Sequence, residues 1–132
     1  MIEKTKELFV MGVPKEHPEL IGGAWVKDWH KRRVKKKIWF HHLINEDYYP
    51  HRIKLLRSFK FTSVKFIPKK YHSPNSLFIY DEGIMLGFTE PLVAIKVTGK
   101  EVAHSFKNYY KMLEKMSLKK APQEKHHKLY KS

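Results

Sequence analysis

The chain has 132 residues, 42% of them hydrophobic and 14% aromatic, which is the size and apolar content of one folded domain. It has no cysteine, which excludes a disulfide scaffold, a thiol nucleophile and a cysteine-held zinc. Lysine and arginine number 27 against 13 acids, a formal charge of +14 that favours polyanionic partners. In chain order, residues 8–13 are a continuous apolar run stopped by Pro14 and predict a buried strand. Residues 18–36 carry Leu20, Ile21, Ala24, Trp25 and Trp29 at helical spacing, with Gly22-Gly23 weakening the first turn. This helix ends in a dense cationic run, 30–37, where cations either meet the negative end of the helix dipole or form a phosphate-binding patch.

A second strand is predicted over 38–44, and Asn45-Glu46-Asp47 is a turn cluster. Pro50 opens a short helix with Ile53, Leu56 and Phe59 inward. Strand 62–67 stops at Pro68, and 69–75 is a loop. Strands 76–80 and 84–87 flank Asp81-Glu82-Gly83, a hairpin signal, and 92–97 is a further strand. Thr98 and Glu101 have the spacing of a capping box with the hydroxyl at the cap. Val102, Phe106, Tyr109, Tyr110 and Leu113 then mark one face of a helix running to about 116. The order β-α-β-α-β-β-β-β-α predicts an α/β protein of the α+β kind, a mixed sheet with helices packed on it. The domain spans 7–116, and 117–132 is a basic, flexible tail.

The residues offer little catalytic chemistry. Of nine histidines, His41 and His42 are neighbours on a strand and face opposite sides, and no pair has the helical spacing of a zinc motif. No metal site and no cofactor are expected. Ser76 and Ser105 lack a nucleophile-elbow context, and there is no phosphate-cradling glycine loop.

Residues 74–91 read Pro-Asn-Ser-Leu-Phe-Ile-Tyr-Asp-Glu-Gly-Ile-Met-Leu-Gly-Phe-Thr-Glu-Pro. This resembles the strand-turn-strand of the phospholipase D superfamily, where H-x-K-x4-D leads into a strand pair ending in G-S-x-N. Asp81 stands at the Asp position and Gly87 at the Gly position, but Pro74 replaces the His and Ser76 the Lys. Proline cannot attack phosphorus, so the resemblance implies the fold without the chemistry. Residues 7–116 as a whole resemble the degenerate phospholipase D-like C-terminal domain of archaeal TrmB-type transcriptional regulators. The shared features are the strand 7–14, the basic helix end 30–38, the strand 64–68 ending in proline, the degenerate hairpin and the helix 101–110. The family closes with an aromatic Leu-Trp pair, whereas here Glu114 follows Leu113.

The resemblance implies a phospholipase D-like single repeat that is not an enzyme. Its expected role is a cytoplasmic effector-sensing and dimerisation domain of a regulator, with a small-molecule effector and a second copy of the chain as partners. Trp25, Trp29, Trp39, Tyr48 and Tyr49 also exceed what a small core readily hides, which favours a homodimer. Few residues precede the first strand, so no winged helix is expected in this chain and no base reading by it. No membrane contact is expected, because no apolar run approaches the roughly 18 residues of a span. Two other functions remain in view: a phospholipase D-type phosphodiesterase or nuclease, and a non-specific nucleic-acid-binding module. For the last, Lys31, Arg32, Arg33, Lys35, Lys36 and Lys37 are the candidate anion-binding residues. Residues 51–71 add seven cations and no acid, and the two stretches are expected to share one positive face. Only four of the cations are arginines, so a weak, sequence-blind contact is expected. A thermophile's lysine-rich surface would look the same.

Overall fold

The computed structural model describes residues 5–12, 23–45, 50–68, 70, 75–89 and 91–117. Its elements are β1 (Glu7–Met11), α1 (Gly23–Lys35), β2 (Trp39–Asn45), α2 (Pro50–Ser58), β3 (Thr62–Ile67), β4 (Ser76–Tyr80), β5 (Gly83–Thr89), β6 (Leu92–Thr98) and α3 (Lys100–Lys115). The strands form one mixed sheet in the order β3-β2-β1-β4-β5-β6. β1, β2 and β3 run parallel. β4 joins β1 antiparallel, and β5 and β6 continue as antiparallel neighbours. The protein is therefore a mixed α+β fold.

β1 is apolar on both sides because both sides are covered. Leu8 and Val10 meet Phe40, Leu56 and Tyr80 on the face that carries α1 and α2, where Trp29 also packs. Ile44, Ile53 and Phe66 extend that layer. Phe9 turns to the other face and joins Leu43, Ile79, Ile84, Ala103 and Tyr110 beneath α3. Burial and the neighbouring Glu114 raise the Tyr110 hydroxyl well above its ordinary pKa, so it stays neutral. Ile53 and Leu56 are buried from α2, while Phe59 lies just past that helix and is half-buried.

Three local expectations change. β1 ends at Met11, because Gly12 takes a left-handed φ of 74°. Thr98 does not cap α3: it is still paired with Gly83 in the sheet, and Gly99 stands at the cap with no side-chain bond. β5 runs on to Thr89 rather than ending at Gly87. The tail beyond Ser117, the start of the long first helix, Pro74, Tyr48 and Tyr49 lie outside the described residues, as does the side chain of Trp25. No helix among the described residues is long and apolar enough to cross a membrane.

Candidate nucleic-acid interface

The hairpin of β4 and β5 is closely packed. Ser76 is 5% exposed and paired with Gly87, and a Cβ at Gly87 would strike the Ser76 hydroxyl. Asp81, in the turn, accepts from the Lys6 amide at 3.1 Å and from Lys107 Nζ at 3.4 Å. It ties the approach to β1 to α3.

The cationic run divides when placed on α1. Lys31, Lys35, Lys36 and Lys37 are exposed. Arg32 is exposed and pairs with Asp28 one turn back at 3.0 Å. Arg33 is the exception: it is 1% exposed, inside the fold. Its Nη1 donates to the carbonyls of Phe61 at 2.8 Å, Ile38 at 3.0 Å and Lys60 at 3.5 Å. Its Nη2 donates to Thr62 Oγ1 at 2.7 Å and its Nε to His30 Nδ1 at 3.1 Å. The guanidinium also lies 5.0 Å from the centre of the Phe40 ring. Burial lowers its pKa to about 10, which leaves it charged at neutral pH. Its donors are spent on the protein, so Arg33 is withdrawn from the anion-binding set.

Arg33 does something the sequence did not suggest. β2 and β3 are parallel neighbours, so the end of α1 and the end of α2 arrive at the same edge of the sheet. Arg33 bonds to the chain after both. It clamps the basic turn 35–37 beside the turn that carries Lys60. Lys6 joins them, since its carbonyl accepts from the Trp39 amide at 3.0 Å. Lys65 does not: it lies on the opposite sheet face, 3.7 Å from Glu114 of α3. Lys69 lies outside the described residues.

The turn after α1 is a Schellman ending. Lys37 N–H donates to Val34 O at 3.0 Å and Ile38 N–H to Arg33 O at 3.2 Å. The left-handed position of that ending normally takes glycine, and here it is Lys37, with φ 56°. Phe61, before β3, has the same φ of 56°.

Trp39 stands at the centre of this end and is 43% exposed. Its ring stacks on His41 at 5.6 Å and 10°, and His41 stacks on Phe9 at 4.7 Å and 15°. His41 Nε2 is fixed by Glu7 Oε2 at 2.8 Å. The ladder holds one face of the indole, and Phe61 meets the ring edge-on at 5.7 Å and 80°. Reading Trp39 as part of a general apolar surplus missed this. The signal was its place, two residues after the cationic run at the start of a strand. His42 lies buried on the other face, against Phe40. Among the described residues, no group of three or more metal-ligating side chains is placed to hold an ion. No protein-family model, curated protein or solved structure matches the chain.

Proposed function

We propose that this domain binds nucleic acid through the cationic end of its parallel strands, without catalysis and without reading base sequence. One observation carries the reading: a buried arginine spends its donors on holding the basic turn 35–37 beside the turn that carries Lys60, at the strand end where Trp39 is exposed. The helix dipole accounts for Arg32 and Lys35 in the last turn of α1. It does not account for Lys37, which sits past the helix in a conformation that costs a side-chain-bearing residue about 1 kcal/mol. Strain of this sort is held by the surrounding structure and clusters at functional sites. Lysine supplies point charges for phosphates, and an aromatic face accepts any base, so neither selects sequence.

Fluorescence anisotropy with labelled oligonucleotides tests this. Three to five phosphate contacts give a log affinity against log salt slope of about −3 to −5. Lys36→Glu with Lys37→Glu should weaken binding at least tenfold and flatten the slope by about 2. Absence of binding at low salt, or a tenfold preference for one sequence, overturns the reading. Arg32→Glu with Arg33→Glu is not a usable test, because Arg33 holds the fold together.

A second reading is favoured by the Ser76–Gly87 packing. It makes the chain a degenerate phospholipase D-like domain that serves a TrmB-type regulator in effector sensing and dimerisation. Where active relatives of that superfamily place a lysine, this chain has a small, occluded hydroxyl. The phosphodiesterase alternative needs a cation there. A chromogenic phosphodiester and plasmid DNA should both go uncut; His72 stands two residues before the place of the missing nucleophile, and turnover that His72→Ala abolishes would restore the enzyme.

A further inference from the structure

The far end of the sheet from the cationic turns is apolar. β6 is the last strand in the order, and among the described residues nothing pairs with its outer side. Val93, Ile95 and Val97 are 43%, 47% and 36% exposed. They stand opposite Phe88, Leu86 and Ile84, so they share the face that carries α3. Lys107 of α3 reaches towards Asp81 and Phe9, and Glu114 towards Lys65. The opposite flank of the helix therefore looks towards β6. That flank carries Val102, Phe106, Tyr109, Leu113 and Met116 and no charge. Tyr109, Met112 and Met116 are 55%, 57% and 49% exposed. In a chain of charge +14, β6 has one charged residue, Lys96.

We propose that β6 pairs antiparallel with β6 of a second copy, about a two-fold axis through Ile95. This names the surface that the dimerisation reading leaves open, and it is independent of the cationic end. An open, apolar edge is a template for another strand unless something covers it. The occupant is argued from the strand's own sequence. With Ile95 opposite Ile95, Val93 stands opposite Val97, and Lys96 stands opposite Ala94. The two apolar rows become one row of six on a single face, and the like charges are not directly opposed. An axis through Lys96 would set lysine against lysine. A slip of one residue would turn the second copy's apolar row to the other face.

The helices fit the same arrangement. α3 packs over β4 and β5. Across the seam the two α3 helices are then separated by about four strand spacings, ~19 Å. A helix with its side chains is about 10–12 Å across, which leaves a trough about 8 Å wide. Val93, Ile95 and Val97 form its floor, and Tyr109 and Met116 reach in from both walls.

The absence of cysteine makes the test clean. Sedimentation equilibrium of the wild type at tens of micromolar should give two chain masses, and Ile95→Lys should give one with an unchanged circular dichroism spectrum. Mild oxidation of Ile95→Cys should cross-link the dimer through the two-fold, while Lys54→Cys on the exposed side of α2 should not. A monomeric wild type overturns both this pairing and the dimerisation reading. So does a monomer in which Ile95→Cys resists thiol reagents, which would mean the chain covers its own edge. A dimer indifferent to Ile95→Lys and not cross-linked at Ile95 overturns this surface alone.

Discussion

His30 lies between the rings of Trp29, Phe40 and Phe59, and its burial, with the neighbouring Arg33 charge, lowers its pKa from 6.5 to about 3. The folded ring is neutral, since Nδ1 accepts from Arg33 Nε. The unfolded chain takes up a proton here below 6.5 and the folded one does not. Stability from this group is therefore full above pH 6.5 and falls as pH drops from there towards 3, by at most about 1.4 kcal/mol per unit. His30→Gln keeps an acceptor for Arg33 and should lose less stability than the wild type between pH 7 and 4, read from urea midpoints. Lys37 yields a second expectation. Lys37→Gly relieves the left-handed strain and should raise stability by about 1 kcal/mol while weakening binding of nucleic acid. A variant that gains stability and binds unchanged would show that the lysine there has no use in binding.

At the scale of elements, apolar runs marked every strand, and Gly83 marked the turn between β4 and β5 for a reason of its own. A Cβ at Gly83 would collide with the Val97 carbonyl, so the residue allows β6 to lie against β5. Gly83→Ala should cost about 1–3 kcal/mol in chemical unfolding, because β6 must shift. Periodicity places residues on elements but says nothing of which strand lies beside which. Hence neither the meeting of the α1 and α2 ends nor the place of β6 as the last strand in the order could be read from the sequence. The inward turn of Arg33 left a trace: it follows Trp25 and Trp29 at spacing four, on the apolar stripe of α1. Charge alone hid it among its neighbours. Thr98 misled in the opposite way, since capping-box spacing also arises where a strand runs straight into a helix with glycine between. The basic residues of the candidate site were legible as a set; Trp39 and its ladder needed the sheet.

Among the described residues, the cationic end of β2 and the unpaired side of β6 lie far apart in the sheet. β2 and β6 are four strand spacings apart, about 19 Å, so neither surface shadows the other. A two-fold through Ile95 turns the second sheet end over end. The two cationic ends then point in opposite directions along the strands, roughly 40 Å apart across the joined sheet. Such an assembly has a valence of two for polyanions and cannot close both ends on one straight duplex. It would tether separate duplexes, or separate segments of one long molecule, into a network. Duplexes carrying donor and acceptor dyes should show energy transfer when protein is scarce and lose it when protein is in excess, because each duplex is then saturated separately. Ile95→Lys should abolish the transfer and leave binding of a single duplex intact.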